Sequence, residues 1–167
     1  EHALPYHNAQ SGLVIEIHWI LIDARHGMQV DIPRLWQRAH PASIAQNTVL
    51  EMTPEDQILH LCIHTSVHVF EIGLKALCDL DATLRFYQDQ IDWNCLAQRA
   101  VQWGAERCVY INLRLTKELM HSPVSTDWLN AIQPEGFEER TYIFSKAHLF
   151  QSAEQPGSAL PDAAGVV

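Results

Sequence analysis

Three histidines, His60, His64 and His68, recur at intervals of four within a stretch of mostly apolar or small residues. On a helix that spacing drifts by roughly 40° per step, so the three imidazoles line one side. Gln57 and Glu71 fall in the same sector, while Ile58, Leu59, Leu61, Cys62, Ile63, Val67, Val69 and Phe70 occupy the rest. Imidazoles bind phosphate, metal or substrate, and they change charge between about pH 5 and 8. A solvated helix face usually carries Lys, Arg and Glu, and this sector holds one Glu and no base. Two roles are open: the wall of a cleft, or the solvent side that any amphipathic helix needs. A zinc-protease motif is absent, because His60-Leu61-Cys62-Ile63-His64 has no glutamate to act as base. Apolar surroundings also disfavour Cys62 as a nucleophile paired with a neighbouring histidine, since they raise a thiol's pKa.

A second group lies in Leu13-Val14-Ile15-Glu16-Ile17-His18-Trp19-Ile20-Leu21-Ile22, an apolar run with one carboxylate and one imidazole. Its β-branched and aromatic content reads as a strand opened by Gln10-Ser11-Gly12. Alternation puts Val14, Glu16, His18 and Ile20 on one face and Leu13, Ile15, Ile17, Trp19 and Leu21 on the other. A mid-strand carboxylate is costly unless it is hydrogen-bonded, paired, bound to metal or on a wetted face. Glu16 is expected to point into a groove between this strand and the helices. Asp79, within Leu77-Cys78-Asp79-Leu80-Asp81, has apolar neighbours and is expected to serve a partner. Asp81 reads as the partner of Arg85, four residues on. Gly-rich phosphate loops, GxSxG and CxxC are all missing.

The elements that must position these groups follow from local signals. Asp23-Ala24-Arg25-His26-Gly27 is a turn, and 28–32 is either a short strand or an extended connector. Pro33 suits the first turn of a short helix over 34–39, and 41–52 reads as loop. Thr53-Pro54-Glu55-Asp56 is a strong helix start, with a Thr cap, Pro at the first helical position and acids at the positive dipole end. That helix is expected to run to about Phe70, with Gly73 as a break. Further helices are expected over 74–87, 93–103 (capped by Asp92, closed by Gly104), 106–120, about 126–131 and 138–150. The small, polar, Pro/Gly-containing segment 151–167 reads as a disordered tail. The fold class is therefore α+β, mostly α, with one or two strands at the N-terminus followed by a helical bundle.

A length of 167 residues suits one domain. Eleven basic against 20 acidic residues give a net charge of −9, which argues against nucleic-acid or membrane-surface binding driven by overall charge. No apolar run reaches the roughly 20 residues that span a bilayer. Cys62, Cys78, Cys95 and Cys108 are dispersed within helical stretches, which suggests buried reduced thiols and a cytoplasmic setting. Residues 1–12 read as no complete structural unit, and a lone strand is unstable, so the chain is expected to be part of a longer one.

Taken in order, several segments resemble the uncharacterised bacterial nucleotidyltransferase-like family of the polymerase-β-type superfamily. They are Val14–Trp19, Leu35-Trp36, Thr53–Asp56, His60–His64 with His68, Leu77–Leu80, Asp92-Trp93 and Trp103-Gly104. The resemblance spans roughly 13–125. It implies a partial palm over 1–40, a helical domain over 41–150 and the tail beyond. It also implies transfer of a nucleoside monophosphate from an NTP to an acceptor by two divalent metals, with Mg²⁺ as the cofactor. Glu16 matches the third metal carboxylate of that superfamily, as catalytic residue and metal ligand. His18, His60, His64, His68 and Asp79 are the candidate cofactor-binding residues. A Gly-Ser turn and a carboxylate pair should come before residue 13, and they do not. The chain by itself is thus expected to be inactive, as the C-terminal portion of such an enzyme. A non-catalytic helical binding module of the same ancestry and a His-rich metal-binding helical protein are the alternatives. The acceptor and the oligomeric state are left open.

Overall fold

The structure is a computed structural model and describes residues 3–68 and 73–154. Two β-hairpins and a short helix precede a bundle of six helices, so the fold is α+β and mostly helical. The first hairpin pairs β1 (Ala3–His7) with β2 (Val14–His18), antiparallel, with Leu4 opposite Ile17 and Tyr6 opposite Ile15. The strand carrying Glu16 thus has its partner within 1–12, contrary to the expectation of none. Asn8 makes the connection, its Oδ1 accepting from the backbone N–H of Gln10 at 2.9 Å and of Ser11 at 3.1 Å. β2 is also shorter than the apolar run from Leu13 to Ile22, and every residue of it is exposed. Leu4, Tyr6, Ile15 and Ile17, directly opposed in pairs, form one exposed apolar face.

Residues 28–31 are a connector, and α1 (Ile32–Arg38) follows, capped by Asp31, whose Oδ1 accepts from the Arg34 N–H at 3.0 Å. The segment expected as loop is a second hairpin, β3 (His40–Ile44) with β4 (Asn47–Glu51). Its two-residue turn, Ala45-Gln46, holds both residues at positive φ, 47° and 69°. Asn-Gly normally marks such a turn, and its absence hid the hairpin.

The bundle comprises α2 (Pro54–Val67), α3 (Leu74–Phe86), α4 (Trp93–Trp103), α5 (Glu106–Met120), α6 (Thr126–Ala131) and α7 (Glu139–Glu154). The expected caps are in place. Thr53 Oγ1 accepts from the Asp56 N–H, and Asp92 Oδ1 accepts from the Asn94 and Cys95 N–H groups. Gly104 closes α4 in the left-handed region at φ 68°. α2 ends at Val67 with His68 as its cap; Val69, Phe70 and Glu71 lie outside the described residues. α7 runs four residues into the expected tail, and 155–167 also lie outside the described residues.

α2 is the central helix and packs against α3, α4 and α5. Ile58, Leu59, Cys62 and Ile63 from α2 meet Leu80, Leu84, Leu96, Trp103, Val109 and Leu113 in the main core. A second cluster, Leu77, Ile111, Leu115, Tyr142 and Leu149, seats α7. Buried Asn112 ties α5 to α2, its Nδ2 donating to Cys62 O at 3.1 Å and Ser66 Oγ at 2.9 Å. All four cysteines are free, but only Cys62 is buried; Cys78 is exposed, against the expectation of uniformly buried thiols.

Candidate functional site

Five segments converge on a cleft of about 760 Å³. β2 contributes Glu16 and His18, and the segment after it contributes Trp19, Asp23 and Arg25. α1 adds Leu35 and Trp36, β4 adds Leu50, and Met52 follows before α2 begins. The opposite wall is α2, with His60, Ile63, His64 and His68. Ile58, Leu59 and Cys62 seal α2 against its neighbours in the core, which leaves the histidine sector to face this space.

A carboxylate–imidazole pair and a row of three imidazoles define the polar geometry. His18 Nε2 and Glu16 Oε2 are 3.4 Å apart on the same strand face, two residues from each other. Along α2 the imidazoles form a ladder, His60–His64 tilted with ring centroids 5.7 Å apart and His64–His68 edge-to-face at 4.5 Å. Burial decreases along the ladder: His60 and His64 are half-buried and His68 is exposed. His60 Nδ1 is buried without a hydrogen-bond partner among the described residues. Burial pushes His60 down to about 4, with His64 and then His18 adding repulsion. His64 is lowered for the same first reason, and His68, His18 and Lys75 add to it. Both imidazoles are therefore neutral at pH 7. Arg25 holds Asp23 down at about 2, the side-chain hydrogen bond from Nη2 at 3.0 Å being the main cause.

The sequence candidates divide cleanly. Glu16, His18, His60, His64 and His68 line one cleft. Asp79 does not belong to it. It sits exposed on α3 and accepts from Lys75 Nζ at 2.5 Å, one turn away, so the expected buried aspartate is a surface ion pair. Leu77 and Leu80 face the bundle, while Cys78 and Asp79 face out. Asp81 does pair with Arg85, and Arg85 Nη2 also reaches the Met120 and His121 carbonyls at the end of α5. Cys62 lies in the core, where burial raises its thiol well above the usual value and leaves it inert. Sequence reasoning did not assign Trp19, Trp36, Leu50 or Met52 to the site, since nothing local links a strand end, a short helix and a hairpin.

The wall formed by α1 is fastened from behind. Asp56, fully buried, accepts from Arg38 Nε at 2.8 Å and Nη2 at 2.9 Å, and from Arg99 Nη1 at 3.0 Å. This joins α1, α2 and α4 through one carboxylate. Glu55 beside it accepts from the Asp92 N–H at 2.9 Å, so the starts of α2 and α4 are linked as well.

Among the described residues, no three His, Cys, Asp or Glu side chains are arranged to hold a metal ion. A hard cation such as Mg²⁺ needs several oxygen ligands. The cleft offers Glu16, together with an Asp23 already committed to Arg25. The residues present do not fit Mg²⁺ by themselves. No helix among the described residues is long and apolar enough to cross a membrane.

Residues 1–121 match the family described as uncharacterised nucleotidyltransferase. No curated protein and no solved structure matches the chain. The family match covers well over half of the sequence and includes every element of the cleft, so the chain belongs to the uncharacterised nucleotidyltransferase family.

Proposed function

We propose that the cleft serves transfer of a nucleoside monophosphate from an NTP to an acceptor hydroxyl. The observation that carries this reading is the meeting of Glu16 on β2 with the α2 histidines in one cleft of a nucleotidyltransferase-family chain. In such a transfer the acceptor oxygen bonds to the α-phosphorus, pyrophosphate leaves, and the hydroxyl proton passes to a base. Neutral imidazoles and a carboxylate are suited to orienting that hydroxyl. Within the two-metal mechanism of the superfamily, Glu16 would be one ligand. The remaining oxygen ligands are not supplied by the described residues, so residues 1–167 alone are expected to be inactive and to bind Mg²⁺-NTP weakly. Four free cysteines support a cytoplasmic setting.

The test is transfer of label from α-³²P-NTPs to small molecules by the natural full-length protein, with Glu16→Gln beside it. The substitution should cost at least about a hundredfold in rate. Undiminished transfer by the variant removes Glu16 from the reaction. A non-catalytic binding module is the second reading, favoured by the lack of a carboxylate cluster among the described residues. Absence of transfer from every NTP, with ligand binding intact, would select it.

A further inference from the structure

We infer that the cleft between β2, α1 and α2 takes an uncharged, hydroxyl-bearing ring, packed on Trp19 and Trp36 and hydrogen-bonded by the α2 imidazoles. The proposed function is needed for one step only, that of naming this ring the acceptor.

Charge decides the class. Among the described lining residues Arg25 is the one Lys or Arg, and its backbone N–H and Nη2 both donate to Asp23, at 2.9 and 3.0 Å. Lys75, whose charge is felt at His64, is bonded to Asp79 outside the cleft. A phosphate or carboxylate entering here would meet two carboxylates, Glu16 and Asp23, against one guanidinium that is already paired with Asp23. Of the five lining histidines, His60 and His64 add no charge at neutral pH, because burial first and neighbouring charges second hold both below the usual imidazole value.

Neutral hydroxyls suit the same groups well. Each neutral imidazole presents one N–H donor and one acceptor nitrogen, the complement of a hydroxyl. His60 and His64, with ring centroids 5.7 Å apart, can address neighbouring hydroxyls of a ring. Apart from His26 the rest of the lining is apolar, and two indoles stand open beside it, Trp19 at 46% and Trp36 at 59% exposure. Large aromatic surfaces left open at a concave site favour a flat apolar face. The cleft volume, about 760 Å³, lies within the range of small-molecule sites.

The test measures binding without NTP or metal, by saturation-transfer NMR and tryptophan fluorescence. The probes are phenyl glycosides of glucose, galactose and N-acetylglucosamine, with phenyl phosphate, adenosine and ATP for comparison. At least one neutral glycoside should bind about tenfold or more tighter than phenyl phosphate and ATP. Trp36→Ala and His64→Gln should each weaken it by about tenfold, while Asp79→Ala, outside the cleft, should not. Both cleft side chains are at least partly exposed, and melting curves verify that the variants fold. Three results would overturn the inference: equal or tighter binding of phenyl phosphate or ATP, no glycoside binding up to ~10 mM, or affinities unmoved by both cleft substitutions. Adenosine binding tighter than every glycoside would overturn the acceptor assignment. Because no nucleotide is needed, glycoside binding without any transfer activity would count against the nucleotidyl-transfer reading and not against this one.

Discussion

The lowered imidazoles of His60 and His64 should make the protein lose stability as pH falls through the ordinary histidine range, and His60→Gln should remove a large part of that loss. In the folded chain burial holds His60 at about 4, against an ordinary value of 6.5. The unfolded chain therefore binds more protons between those two values, and stability rises with pH across the window and is lost as pH drops through 6.5. At about pH 7.5 both states are neutral and the contribution vanishes. At about pH 5 the unfolded imidazole is nearly all protonated and the folded one mostly neutral, a linkage cost of about 2 kcal/mol. Other groups titrate in the same interval, so the measured quantity is the difference between wild type and variant. Urea unfolding of both proteins at the two pH values supplies it. The wild type should lose about 2 kcal/mol more than His60→Gln on acidification. The repulsion from His64 and His18 is already contained in the lowered His60 value, so it adds nothing further to this figure. An excess loss below about 0.5 kcal/mol would refute the argument and place His60 in a solvated, freely protonated environment.

Asp56→Asn should destabilise by about 3 kcal/mol, since it removes the buried charge that Arg38 and Arg99 both face. The melting midpoint should fall by roughly 6–12 °C, and a fall under about 2 °C would mean both guanidiniums are satisfied elsewhere. Asp79→Ala should change stability by no more than about 0.5 kcal/mol, as its partner Lys75 is an exposed neighbour one helical turn away; a larger loss in urea titration would contradict the surface assignment. Gly104→Ala should cost about 1 kcal/mol through its left-handed backbone rather than through crowding, because a Cβ there would meet Gly27 O at an ordinary 3.6 Å. Gly104→Asn, better tolerated at such φ, should recover part of that loss in thermal melts.

The helices were legible because their signals are local. Thr53, Asp92 and Ser125 accept hydrogen bonds from backbone N–H groups two or three residues onward, so identity and spacing alone announce each start. Gly104 announces an end for the same reason, through a backbone conformation that other residues resist. The strands were less legible. β1 contains Pro5, and the turn of the second hairpin uses Ala45 and Gln46 where Gly or Asn would have been the marker.

The chain's own pattern also determined that His60, His64 and His68 share a helix face and that Glu16 and His18 share a strand face, since these are properties of helical and strand periods. Only the tertiary structure decided that the two faces meet. It closed the cleft with α1 and the second hairpin, and fastened α1 through an Asp56 that lies 18 residues from Arg38 and 43 from Arg99. It likewise turned Asp79 to solvent and kept Glu16 at the cleft, although both lie among apolar neighbours in sequence. Burial depends on which distant elements pack against a residue, and no local period carries that information.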